Sequence, residues 1–548
     1  MKHCRQTFIF YSCTMTLAIE LNNSGMKMLI KHMVKNIRSQ KTGIKFSIIV
    51  VITLLGVFQS CKKSRSDLGK TLFTETGNKV FKGMENEAFT EVFKKTLLEE
   101  KASLGNPKLI AAWYEQHDYE PVMVTRHIKQ KGLQVLFSYF ERSGEHGLVP
   151  EYFKVKELKD LTAQLYDKNA IKTTDDAYRI IARLELLAAN SLINYSNALQ
   201  FGVISPKRIY AAYFTDTKRP DSNAVNHIFA ARSLKSYLDS IQPTDQQYIA
   251  LQKVLKEAGN APGISVDETQ KILKLNLERL RWKNKPQDDK YVIVNIADFK
   301  LDVMENGKSI LNMKVCVGEG RNKDFKDNLQ EYDENDLKKD RPFSRETPQL
   351  NSMIHSVQVN PVWNIPESIA TNEITKHAAA DRYYLANHNI DVFEHGQKIE
   401  DTETIDWSEG NPGKKYLFKQ RPGADNSLGK IKFLFNNQSA VYLHDTPAKA
   451  AFAQSMRAVS HGCVRLEKPL DFAHAIFGEG TKYEEIKKQM TDTAAVVQAK
   501  NISLPKKVPV YLTYFTAWVD PSATVQVRKD VYGLDIVLFT YLRKMGAV

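Results

Sequence analysis

The run Tyr442-Leu443-His444-Asp445-Thr446-Pro447, followed after eleven intervening residues by Val459-Ser460-His461-Gly462-Cys463-Val464-Arg465-Leu466, brings two histidines and a thiol into one short segment. A cysteine becomes a useful nucleophile only when a neighbour lowers its pKa or takes its proton, and imidazole can do either. His444 lies nineteen residues before Cys463, at the end of the apolar, strand-like run Ala440 to Leu443. That spacing allows a strand, a loop-and-helix excursion and a return to the same site. Gly462, next to the thiol, suits a tight turn in which backbone N–H groups approach a substrate oxygen.

Two plainer readings compete. An arbitrary cysteine is usually a small buried hydrophobe, but Cys463 is flanked by Gly462 and His461 and followed by Arg465, unlike an apolar core strand. His444, His461, Cys463 and His474 are ligand types that zinc accepts, yet the paired spacings of zinc sites are absent and no metal is expected.

Ser460-His461-Gly462-Cys463-Val464-Arg465 with the upstream His-Asp-Thr-Pro segment resembles the L,D-transpeptidases of bacterial cell-wall synthesis, the YkuD-type catalytic domain. Four further stretches agree with the large periplasmic form of that family: Asn276 to Trp282, Thr347-Pro348, Val359 to Pro366, and Tyr514 to Asp520. Weaker similarity reaches back to about Ala111. The resemblance implies an α+β chain, with an N-terminal all-α scaffold domain followed by a mainly β catalytic domain bearing a capping insertion. It implies peptidoglycan stem peptides as substrate, no cofactor, and carbapenem-type inhibitors. In the family a thiolate attacks the third stem residue, expels a terminal D-Ala and passes the acyl group to another stem, giving a 3→3 link. The expected roles are Cys463 as nucleophile, His444 as proton acceptor and donor, and Asp445, through its carbonyl, as the group orienting His444. His461 and Gly462, with Cys463, would offer backbone N–H groups to the oxyanion. Arg465, Ser460, Trp363 and Asn364 are the candidate substrate-binding residues. Their plainer readings are a structural salt bridge for Arg465, a bond within its own turn for Ser460, and ordinary packing for Trp363. Water as acceptor would make a carboxypeptidase or endopeptidase, and a protein amine would attach a protein to the wall. A wall-binding lipoprotein with a decayed site is the non-enzymatic reading, against which an intact His444 and Cys463 speak.

The composition agrees. With 548 residues, 43% hydrophobic and 26% charged, the chain can bury more than one core. A net charge of +14 favours anionic surroundings such as phospholipid headgroups or carboxylate-bearing wall polymer. Nucleic acid is not expected, because the cations are spread and no recognition motif stands out. The five cysteines, at 4, 13, 61, 316 and 463, imply no disulfide framework, and Cys316 reads as a core-strand residue.

Along the chain, Lys41 and Lys45 precede the apolar run Phe46 to Phe58, which ends in Gln59-Ser60-Cys61. This pattern reads as an export signal over residues 1–61 with Cys61 as a lipidation site, and translation starting near Met33 fits it. The mature protein is therefore expected in the periplasm, lipid-anchored, with the outer membrane favoured over the inner. Residues 62–85 read as a tether and 86–285 as the helical scaffold, led by Asp176 to Leu199 with Ile180, Leu184, Leu187, Leu192 and Tyr195 on one apolar face. The family's peptidoglycan-binding module, usual before Asn276, looks reduced or absent. From residue 286 to 548, β-branched runs predict a mainly β domain with a charged insertion at 321–346 and a candidate lid at 367–420 of mixed helix and loop.

Overall fold

The computed structural model describes residues 66–282, 286, 288–320, 345–492 and 497–548. The expected export segment with Cys61, and residues 321–344 of the charged insertion, lie outside the described residues.

Residues 67–281 are helical and gather around one long helix, Thr174–Phe201. Thr173 and Asp176 cap it reciprocally: Thr173 Oγ1 accepts the Asp176 N–H at 3.1 Å, and the Asp176 carboxylate accepts the Thr173 N–H at 3.1 Å. The predicted apolar face is broader than one stripe. Leu184, Leu192 and Tyr195 are buried, Ile180 and Leu187 only partly, and Glu185 on the same helix is wholly buried. The Glu185 carboxylate accepts the Tyr114 hydroxyl at 2.5 Å and the N–H groups of Met123 and Val124 at 3.0 and 2.8 Å. It thereby satisfies the open end of the Val122–His127 helix.

The tether expected at 62–85 is corrected by a helix at Asp67–Thr76, capped by Ser66, that buries Leu68 and Leu72. Its polar residues hide two apolar contacts one turn apart, and the helical domain begins at its first turn. Only a short connection separates the helices Gln246–Lys256 and Val266–Arg281, and Asn276 lies within the second of them.

The second half holds thirteen strands that matter here: β1 Lys290–Asn295, β2 Lys300–Glu305, β3 Lys308–Gly318, β4 Leu350–Val359, β5 Trp363–Ile365, β6 Ile390–Glu394, β7 Gln397–Ile399, β8 Leu417–Gln420, β9 Ile431–Phe435, β10 Leu443–His444, β11 Ala458–Ser460, β12 Val464–Leu466 and β13 Lys500–Thr513. The main sheet runs β11-β3-β12-β10-β9-β4-β13-β1-β2, and β2 pairs back on β3 so that the sheet closes on itself. Alternation sorts the side chains. Ile431, Phe433, Leu443, Val464, Leu466, Val510 and Leu512 are buried inside, where Phe472 of the Pro469–Phe477 helix meets Phe433 with ring centroids 4.6 Å apart. The residues between them, including His444 and Cys463, face outward.

The candidate lid is more ordered than the helix-and-loop expectation. β5, β8, β6 and β7 form a separate four-stranded sheet with its own core of Ile365, Ile374, Leu385, Val392, Trp407 and Phe418. Its apolar positions are short and scattered among charges, which concealed strands of three to five residues.

The Val266–Arg281 helix joins the two halves. Asn276 exchanges hydrogen bonds with Thr516, its Nδ2 donating to Oγ1 at 2.9 Å and its Oδ1 accepting the backbone N–H at 3.0 Å. Arg279 meets Asp535, on the Leu534–Lys544 helix, at 2.5 Å with both side chains at most 4% exposed. Breaking one partner of such a pair strands a buried charge. Asp535→Ala should therefore lower the stability of the whole chain by about 3–5 kcal/mol, measured by denaturant unfolding; loss of a β-domain transition alone, with the helical one unmoved, is the contrary outcome.

Candidate active site

β10 and β12 run parallel, with Leu443 beside Val464 and His444 beside Arg465. Tyr442 and His444 on one strand, and Cys463 and Arg465 on the next, therefore project from the same outer face. Lys432 of β9 stands opposite His444 and joins them.

His444 is buried, and its Nδ1 lies 2.5 Å from the Asp445 carbonyl oxygen. A carbonyl only accepts, so Nδ1 carries the proton and Nε2 keeps its lone pair. Burial, reinforced by the Arg465 charge, lowers the imidazole pKa to about 4. At neutral pH His444 is thus a neutral base. Asp445 is held in turn: its carboxylate accepts from Lys449 Nζ at 2.5 Å and from the Lys430 N–H at 2.9 Å. It packs on Gly429, at φ 60, where a Cβ would fall 2.4 Å from the Asp445 carboxyl carbon.

Cys463 is half-buried. Burial pushes its thiol up to about 11, opposed by bonds from Tyr442 and by the charges of Arg465 and Lys432. The resting pair is consequently thiol and neutral imidazole, not a preformed ion pair. The turn carrying the thiol is locked from below. Gly462 takes φ 120, its carbonyl accepts from Thr347 Oγ1 at 2.8 Å, and Thr347 Oγ1 accepts the Gly318 N–H at 2.8 Å.

Several sequence expectations need correction. Ser460 does not face substrate: it is buried, its hydroxyl donating to the Cys463 carbonyl at 2.6 Å and accepting the Gly462 N–H at 3.2 Å. The latter bond also takes Gly462 out of the set of oxyanion donors, leaving the N–H groups of His461 and Cys463. Arg465 makes no salt bridge among the described residues. It lies across from Cys316 and has a buried Nε without a hydrogen-bond partner. Cys316 is fully buried and unpaired. Trp363 and Asn364 sit on β5, paired with Gln420 and Lys419. Trp363 packs against the small core of the capping sheet, and Asn364 is exposed.

Sequence reasoning missed Lys432, Glu373 and Arg345. Glu373, on a π-helical turn of the capping subdomain, lies 2.6 Å from His461 Nε2 and 2.7 Å from Arg345. The residue two before the nucleophile is therefore tied to the lid. Strand parity could have placed Lys432, since it alternates with Ile431 and Phe433, but only with the β9–β10 register known.

A thiol, a neutral imidazole and two cations on one outward sheet face make this a cysteine–histidine site of the kind that suits acyl transfer. Residues 289–482 match the model of the L,D-transpeptidase catalytic domain, YkuD, and residues 108–255 match that of the Scaffold domain. The chain thus carries a YkuD-family L,D-transpeptidase catalytic domain behind a Scaffold domain. A Haemophilus influenzae protein named "Putative L,D-transpeptidase" is 27% identical over 332 residues, which are 60% of this chain and 61% of that protein. The chain so spans about three fifths of the length of the curated relative it matches. A solved L,D-transpeptidase from Mycobacterium smegmatis aligns at 12% identity and a TM-score of 0.19, covering 41% of this chain and 58% of its own.

Two outcomes test this geometry. The rate of Cys463 alkylation by iodoacetamide should climb with pH and level off only near about 11; a plateau near the free-thiol value of about 8.5 would show the thiolate to be stabilised in the resting protein. Glu373→Ala should quicken amide exchange across residues 367–380, read by mass spectrometry, because it cuts both polar ties of that turn. Exchange equal to wild type would show that packing alone holds the cap.

Proposed function

We propose that this chain is an L,D-transpeptidase of the periplasm that forms 3→3 links between peptidoglycan stems through an acyl-enzyme on Cys463. The parallel pairing that sets a neutral His444 on the same face as the thiol carries this reading, and the family match supplies the substrate class. His444 Nε2 takes the Cys463 proton as the sulfur attacks the carbonyl of the third stem residue. The tetrahedral oxyanion accepts from the backbone N–H groups of His461 and Cys463, each donor contributing about 3 kcal/mol in the transition state. Collapse breaks the C–N bond, His444 returns the proton to the departing D-Ala amine, and a thioester remains. A side-chain amine of a second stem then attacks the thioester, loses its proton to His444 and releases the thiol. The Asp445 carbonyl holds the imidazole in the tautomer this sequence needs. Lipid attachment at Cys61 would tether the enzyme to the envelope within reach of wall polymer.

Mass spectrometry of muropeptides, after incubation with tetrapeptide-bearing wall fragments, tests the proposal. Cross-linked dimers lacking one D-Ala are the expected product, whereas tripeptides alone would make the enzyme a carboxypeptidase. Cys463→Ala should abolish product. His444→Ala should slow it by about 10²- to 10⁴-fold, with partial recovery only as pH rises toward about 11. A carbapenem should acylate Cys463 and spare the fully buried Cys316, which peptide mapping will read directly. An adduct on Cys316, or full activity in the His444 variant, would overturn the assignment.

A further inference from the structure

Cations around Cys463 outnumber the acids available to neutralise them. Lys432 is half-buried, and its ammonium lies over the Tyr442 ring, 5.4 Å from the centroid. Tyr442 in turn accepts the Val464 N–H through its carbonyl at 3.0 Å, which holds it alongside the nucleophile's strand. The nearby acids are committed elsewhere: Asp445 to Lys449 and the Lys430 N–H, Glu373 to His461 and Arg345. Among the described residues no carboxylate lies within ion-pair distance of Lys432. Its partial burial lowers its pKa, and the charge on Cys463 opposes that fall. A half-desolvated ammonium without a counter-ion is costly unless a ligand supplies one.

The order of the strands says where that ligand group belongs. Across the sheet, β12, β10 and β9 are consecutive and present Cys463, His444 and Lys432 from one face. Neighbouring strands lie about 4.8 Å apart. The scissile carbonyl must meet Cys463, and the departing nitrogen must meet His444, which protonates it. The next group along the leaving residue lies one residue's span farther, about 3.5 Å, toward β9 and Lys432. Arg465 stands on the opposite side of His444, between it and Cys316 of β3.

We propose that Lys432 binds the free α-carboxylate of the leaving residue and is thereby the side chain that favours a donor ending one residue beyond the scissile bond. The inference rests on the acyl-transfer reading above and adds a specificity determinant to it. No bond is made or broken by Lys432; it pairs with a carboxylate that departs, still ionised, with the amine.

The test compares a tetrapeptide stem with its C-terminal carboxamide, using acyl-enzyme formation on Cys463 by intact-protein mass spectrometry. Wild type should prefer the free acid by at least about tenfold in kcat/KM, the scale of one charge-assisted hydrogen bond, mostly through KM. Lys432→Met should remove the preference, making the two donors equivalent, while Lys432→Arg should retain it. The pH profile of iodoacetamide labelling separates the alternative role. If Lys432→Met displaces that profile upward and slows both donors alike, the ammonium supports the thiolate and the carboxylate assignment is wrong. A wild type indifferent to amidation also overturns it. If wild type forms acyl-enzyme with neither donor although iodoacetamide still labels Cys463, the acyl-transfer reading itself falls, and this inference with it.

Discussion

A parallel pairing of two very short strands, β10 with β12, is what the chemistry depends on. Parallel neighbours need a long crossover, and here residues 445–463 provide it, with a 3₁₀ turn at Lys449–Ala453 on the way. A slip of one residue would turn Leu443 outward and His444 into the core. Leu443, Val464 and Leu466, none more than 1% exposed, make that slip expensive. The hydrophobic residues between the reactive ones therefore do the positioning, and the locked turn at Gly462 adds the last constraint.

The same burial that fixes the site shapes its electrostatics. Desolvation drives His444 and Cys463 in opposite directions, the imidazole down and the thiol up, so both are neutral at rest. In the proposed transfer charge appears only as the proton moves, in a setting where Arg465 and Lys432 are already in place to meet it. Such preorganised cations are worth more in a water-poor site than in solvent. The Glu373 bridge brings the capping subdomain onto the same few residues, next to the thiol.

Much of this was legible in the sequence, and the rest was hidden for definable reasons. The thiol, the imidazole and the carbonyl that contacts it were local: His444 and Asp445 are adjacent, and the Ser460 to Arg465 run is contiguous. The long Thr174–Phe201 helix announced itself by period and by its Gly202 stop. Lys432, Glu373 and Arg345 could not be found that way, because each acts across a register or a tertiary contact. Ser460 carried two readings, because a hydroxyl near a thiol has the same sequence signature whether it points outward or into its own turn, and the structure gives the second. The helix at Asp67 was hidden by its polar composition, and the strands of the capping sheet by their brevity.

The C-terminal segment carries a consequence for how the chain is held together. Ala547 accepts the Val149 N–H at 3.0 Å, Leu534 accepts the Tyr210 hydroxyl at 2.8 Å, and Asp535 balances Arg279. Residues 534–547, more than 250 positions beyond the helical half, thus complete its packing. The helical half therefore reaches its final packing only together with the segment from Leu534 to Ala547. Loss of the residues from Asp535 onward would leave the Arg279 guanidinium bare in an open interior, so the last helix acts as a plug for the charge that the first half buries.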